Sequence, residues 1–342
     1  MIEILSSQSL WVTVVAGFAA LAMLILSSNL AVKKVIGLAG YLGVSGAFMG
    51  MTVLSLATSI PEISSHLTAS VGILTGRLDY KIGSAIVIGA NIGSDVVQQT
   101  LIMGIVVLLA GQLYFRRYLL WKSLLPLVVT TLVCLVLGLD GQFSRLDGLI
   151  LFGLFVGYTY FLYWDERRYY KKPANIAEEE EVPAPTTAGE AALSVLVALG
   201  AMGVTILAAQ VVLVVTEMVV ERTGVGGSFI GVVTLGVASA LPELVTALAG
   251  VRHNEHGVSL GTLIGSNITN PLVGIGLGAL VSTYWVPGPS LYWDFPWQSL
   301  TGALLWVLLW FTKGKLNRYG AAYLIVLYVL YVGLRAVFFL AD

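Results

Sequence analysis

Two short stretches put acids where a lipid-spanning helix rarely carries them. "SLATSIPEISSHL", residues 55–67, sets Glu62 beside Pro61, and "ASALPEL", residues 238–244, sets Glu243 beside Pro242. A proline inside a helix removes one N–H and crowds the carbonyl four residues back. Pro61 is therefore predicted to free the carbonyl of Ala57, and Pro242 that of Ala238. Freed carbonyls cannot face lipid, so each break must be buried in protein or line a polar cavity. Hydroxyls lie within one turn of each acid: Thr58 and Ser59 in the first stretch, Ser239 in the second. Carboxylates, hydroxyls and carbonyls together are the ligand set of a hard cation. A lone intramembrane Glu also reads as a protonated, hydrogen-bonded structural residue, but two in matching settings favour an ion pathway. Two facing carboxylates repel, and one divalent cation or several monovalent ones resolve that repulsion. The same acids can thus be neutralised by either ion type, while the empty site is costly to carry across a membrane.

The elements that position these residues come as a repeat. "GMTVLSLATSIPEI", 50–63, aligns without a gap on "GVVTLGVASALPEL", 231–244, at an offset of 181 residues. A second block, "GANIGSDVVQ", 89–98, aligns on "GTLIGSNITN", 261–270, at an offset of 172. These blocks add Ser94 and Ser266 on glycine-lined helices that can approach closely. With 57% hydrophobic residues, 11% charged and a mean hydropathy of +0.90, the chain reads as an all-α polytopic membrane protein. Ten spans are expected, at roughly 9–30, 37–64, 82–110, 118–138, 147–164, 190–221, 227–251, 257–283, 297–312 and 319–339. The first is read as a retained span, not a cleaved signal, because Glu3 precedes it instead of Lys or Arg. "DERRYYKKPANIAEEEEVPAPTTAGE", at 165–190, is a polar linker between a first transmembrane repeat, 1–164, and a second, 191–342. Its "EEEE" reads as a solvated tract or as an ion sensor. Five spans per half is an odd number, so the halves are expected as inverted repeats with the site where they meet. With the N-terminus outside, 13 of the 18 Lys and Arg residues fall on the inner side, which predicts an N-out, C-out topology with the linker in the cytoplasm.

"TSIPE" and "SALPE", each followed by a "GS" block, resemble the α-repeats of the Ca2+/cation antiporter superfamily, and most of all its prokaryotic Na+/Ca2+ exchangers. The resemblance covers roughly 50–100 and 231–275. It implies a central Ca2+ site of Glu62, Glu243, Thr58 and Ser239. It implies flanking Na+ sites that use those acids with Ser94, Ser266 and backbone carbonyls near Ser55 and Gly236. It also implies that the first and sixth spans slide against the remaining core. The chain departs from the family pattern at several positions. Ala240 stands opposite Ser59, Gln98 replaces an Asn, Asp95 replaces the Asn after "GS", and Asn270 stands where the K+-dependent branch has Asp.

Ser59, Gln98, Asn270 and Asp95 complete the candidate ligand set. Asp95 reads either as a third acid or as a protonated residue bonded to a neighbouring helix. His66, one turn from Glu62, reads as a neutral hydrogen-bonded ring or as a proton-coupling group. Glu217 reads as an interfacial group, and Asn91 as a supporting or a gating amide. The net charge of −1 offers no basic surface for nucleic acid, and the single Cys134 excludes a disulfide or thiolate-metal framework. No H-E-x-x-H or P-loop is present, so an enzyme is not expected, nor any cofactor beyond the transported Ca2+ and Na+. The expected protein is a plasma-membrane Na+/Ca2+ antiporter in the lipid bilayer, functional as a monomer. H+-coupled antiport of Ca2+ or another divalent cation is the alternative.

Overall fold

The computed structural model describes residues 10–42, 50–115, 120–169, 185–252 and 256–342. Helices dominate it. Among the described residues, eight are long and apolar enough to cross a membrane: Val12–Ala31, Tyr80–Ala110, Leu120–Leu137, Arg145–Asp165, Ala188–Thr223, Gly227–Leu248, Ser259–Ser282 and Arg318–Phe338. Two of the ten expected spans, 37–64 and 297–312, are not in this set. The helix at Phe295–Phe311 has 17 residues, and the segment after Gly50 is polar and broken at Ser59. Large apolar side chains such as Phe18, Leu26 and Phe311 lie on the outside, about 70–80% exposed. Such a surface suits lipid and not water.

Helix α1 (Leu10–Leu42) packs along helix α2 (Ala188–Thr223). Gly17 lets the two approach: a Cβ there would lie 2.7 Å from Val215 Cγ1. Ser27 Oγ and Thr205 Oγ1 meet across the pair at 2.9 Å. The apolar windows of α1 and α2 are only 24% and 40% buried, against 78% for Tyr80–Ala110 and 83% for Ser259–Ser282. The last two therefore form the centre of the bundle, and α1 and α2 flank it. Thr187 caps the start of α2 by accepting from Glu190 N, and Gly224 ends it in the left-handed conformation, as helix termini require. The expected linker begins within the preceding helix, which runs on to Tyr169, and its residues 170–184 lie outside the described residues.

Two small antiparallel ribbons, unexpected from the helical reading, tie the halves together. Strand β1 (Gln112–Tyr114) pairs with β4 (Lys315–Asn317), and β2 (Gln142–Phe143) pairs with β3 (Tyr284–Trp285). Each ribbon takes one strand from each half. At two or three residues, the strands are too short to carry a readable alternation.

Candidate cation site

The two proline stretches fold alike. In the first, a π-turn (Gly50–Leu54) leads into helix α3 (Ser55–Thr58), Ser59 breaks the axis with φ −76° and ψ 3°, and helix α4 (Ile60–Leu74) resumes with Pro61 in its first turn. In the second, a π-turn (Val232–Gly236) leads into Val237–Ser239. Ala240 breaks the axis with φ −80° and ψ −4°, and helix α5 (Leu241–Arg252) follows. Proline is tolerated at a helix start because the N–H there has no helical partner. The carbonyls of Ala57 and Ala238, expected to be free, are not: each accepts a backbone N–H at the break. The chain tightens by one residue there and so captures the oxygen that proline abandons.

Each break is packed against the "GS" helix of the other half. Helix α6 (Tyr80–Val97) lies on the second break. A Cβ at Gly93 would fall 2.6 Å from Val232 Cα, and one at Gly236 2.9 Å from Ser94 N. Helix α7 (His256–Thr269) lies on the first break, where a Cβ at Gly265 would fall 2.8 Å from Ser55 Cβ. Both "GS" helices then pass through π-turns, at Gln98–Ile102 and Asn270–Ile275, a distortion frequent at functional sites.

This packing gathers the sequence-predicted residues. Glu62, Glu243, Thr58, Ser59, Ser239, Ser94, Ser266 and Ser55 are all buried, none more than 3% exposed. Ser94 Oγ donates to Glu62 Oε1 at 2.7 Å. Thr58 and Ser266 meet at 3.1 Å, and Ser55 meets Thr269 Oγ1 at 3.2 Å. Thr58 and Ser266 border the Glu243 carboxylate, Ser239 borders that of Glu62, and the two acids lie close enough to interact. The carbonyls of Ser55 and Gly236 take hydroxyls from Thr58 and Ser239, both at 3.3 Å.

The partners are incomplete at the centre. Both oxygens of Glu243, Glu62 Oε2 and Ser59 Oγ are buried with no hydrogen-bond partner among the described residues. Buried polar atoms without partners are rare and costly, and a buried unpaired carboxylate more so. Cations that bind oxygen would satisfy all four. Among the described residues, no three His, Cys, Asp or Glu side chains cluster as a metal centre. Two carboxylates with neutral oxygens suit hard cations and not a tight transition-metal site.

The remaining predicted residues make hydrogen bonds of their own. Asp95 accepts from Asn270 Nδ2 at 2.9 Å and from Gln298 Nε2 at 2.8 Å, so both its oxygens are occupied. Gln98 Nε2 donates to Ser94 Oγ at 3.0 Å. His66 is buried between Asn91 Nδ2, at 3.2 Å, and the Tyr284 hydroxyl, at 3.3 Å. Asn91 also donates to the Asn270 carbonyl at 2.9 Å. Glu217 accepts from Asp79 N at 2.8 Å, near the start of α6 and away from the acids. Sequence reasoning missed Asn267, Gln99 and Gln298. Asn267 stands in the quoted "GSN" block and could have been found as the repeat partner of Asp95. Gln99 and Gln298 carry no such signal.

Comparison with known proteins agrees with this architecture. Residues 12–164 and 193–337 match the family described as sodium/calcium exchanger protein. The chain is 25% identical to the putative antiporter CaxA of Alkalimonas amylolytica over 320 residues, 93% of this chain and 96% of that one. It is 23% identical to the sodium/calcium exchanger MaX1 of Methanosarcina acetivorans, covering 91% of this chain and 95% of that one. A solved structure of the sodium-calcium exchanger NCX_Mj, soaked with Na+ and Sr2+, superimposes with a TM-score of 0.64 at 21% identity, over 95% of this chain and 99% of that one. That last likeness is one of fold.

Proposed function

This chain belongs to the sodium/calcium exchanger protein family, and from that premise we propose that it exchanges Ca2+ for Na+ by alternating access. Its site is formed by Glu62, Glu243 and the hydroxyls of Thr58, Ser59, Ser239, Ser94 and Ser266. The observation that carries this reading is the set of buried oxygens on Glu62, Glu243 and Ser59 with no partner among the described residues. Ca2+ takes several oxygens and tolerates irregular geometry. Na+ shares the preference for oxygen but brings one charge, so it needs neutral oxygens around a shared acid, and the hydroxyls supply them. A proton would need only a carboxylate, and the hydroxyl array would then have little purpose.

Ten spans, arranged as two inverted five-helix halves, are part of this proposal. The segments 50–74 and 295–311 complete the ten. Support comes from the matching breaks at Ser59 and Ala240, the matching π-turns and the ribbons that join one strand of each half. We place the protein in the plasma membrane as a monomer, with both termini outside.

The test is 45Ca2+ movement in proteoliposomes. An outward-directed Na+ gradient at clamped pH should drive Ca2+ uptake, and a pH gradient without Na+ should not. Uptake driven equally by the pH gradient alone would make the chain an H+-coupled Ca2+ antiporter.

A further inference from the structure

Gln98 and Asn270 occupy the same place in the two halves, 172 residues apart, and so do Asp95 and Asn267. They pair across the halves, Asn267 with Gln98 and Asn270 with Asp95. The polarity of the two pairs is opposite. Asn267 Nδ2 donates to Gln98 Oε1 at 3.0 Å, whereas Asn270 Nδ2 donates to Asp95 Oδ1 at 2.9 Å.

Neither direction is arbitrary. Asn267 Nδ2 also donates to the Leu263 carbonyl at 2.7 Å, and a carbonyl can only accept. The nitrogen of Asn267 is therefore fixed on that side, and its oxygen takes Gln99 Nε2 at 2.7 Å. Gln98 must then turn its oxygen toward Asn267 and its nitrogen toward Ser94. The single proton of Ser94 is left for Glu62. In the other half the partner is a carboxylate, which has no N–H to give. Asn270 turns its nitrogen toward Asp95, and its Oδ1 is left buried with no partner among the described residues.

We propose that Asp95 and Asn267 are positioning residues that give the two related amides opposite faces to the cation site. Asn270 offers an oxygen, which a cation can bind. Gln98 offers an N–H through Ser94, which a cation cannot use and which weakens the negative potential at Glu62. Gln98 is then not a ligand, contrary to the expectation from its place in the repeat, and the site is one-sided. This inference rests on the reading of Glu62 and Glu243 as the cation site.

The experiment measures Na+-driven Ca2+ efflux from proteoliposomes holding the full chain, and reads the Na+ half-saturation, maximal rate and Hill coefficient separately. Asn270→Leu should raise the Na+ half-saturation about tenfold, the scale of one contact to a charged group, and lower the Hill coefficient. Gln98→Leu should leave the half-saturation unchanged or lower it, with the Hill coefficient unchanged. Asn267→Asp replaces the donor by an acceptor, so Gln98 turns its oxygen to the site. Its half-saturation should fall about threefold, less than one full contact, and the added change Gln98→Leu should abolish the gain. A rise with Gln98→Leu equal to that with Asn270→Leu would overturn the proposal. A gain with Asn267→Asp that survives Gln98→Leu would do so too, since it would come from the added charge alone. Near-normal exchange in both Glu62→Gln and Glu243→Gln would instead remove the cation site itself.

Discussion

The acids of the two halves differ in their surroundings. Glu62 has one oxygen bonded by Ser94, while neither oxygen of Glu243 has a hydrogen-bond partner among the described residues. Gln in place of either acid keeps the shape and removes the charge, and its new N–H would face a bound cation. Ca2+ exchange should fall at least a hundredfold in Glu62→Gln and in Glu243→Gln, on the order of 3 kcal/mol for a lost buried charge partner. Initial 45Ca2+ flux measures it, and near-normal flux in either variant contradicts a two-acid site. Both acids were legible in the sequence because proline, acid and hydroxyl recur at one offset. Gln99 and Gln298 were not, and Asn267 only as the repeat partner of Asp95, because their part depends on contacts between residues about 170 to 200 apart in the chain. Gln98 shows the limit most clearly: its position was legible, but which of its atoms faces Ser94 depends on one backbone carbonyl, that of Leu263.

At the scale of elements, the breaks and the helices around them were legible, and their cross-packing was not. Glycine at 93, 236 and 265 signals close approach, but only the fold shows that each break rests on the other half's helix. The carbonyls of Ala57 and Ala238 were misjudged because the sequence shows the lost N–H and not the tightened turn that replaces it. The α1–α2 pair is joined internally by Ser27 and Thr205 and touches the start of α6 through Glu217 and Asp79. If the pair slides as one body against the core, linking its two helices changes nothing, and linking it to the core stops transport. A short bifunctional thiol reagent should leave exchange intact in Ser27→Cys/Thr205→Cys. It should arrest exchange in Asp79→Cys/Glu217→Cys, with flux before linking as the reference. Arrest in the first variant would mean that α1 and α2 move independently.

Across the whole molecule, the fold sharpens the charge count that sets orientation. Five basic residues were assigned to the outer side, but Arg335 is fully buried, with Nε 3.0 Å from Asp294 Oδ1. Buried inside the protein, it adds nothing to the outer surface, which is then expected to keep Arg77, Lys81, Arg145 and Arg222. On the inner side, Lys122 is paired with Asp165 at 2.5 Å, but acids contribute little to the rule, which counts Lys and Arg near span ends. Among the described residues, burial removes one basic residue from the outer count and none from the inner one, and both termini are expected outside. Asp140, exposed in the turn before β2, and Thr186, exposed just before α2, lie on opposite sides in this arrangement. Cys134 is buried and leaves the background silent to a thiol reagent. An impermeant maleimide on intact cells should label Asp140→Cys at once and Thr186→Cys only after the membrane is opened. The reverse pattern would place the linker outside and both termini in the cytoplasm. The inner and outer ion entrances would then exchange roles, with the site itself unchanged.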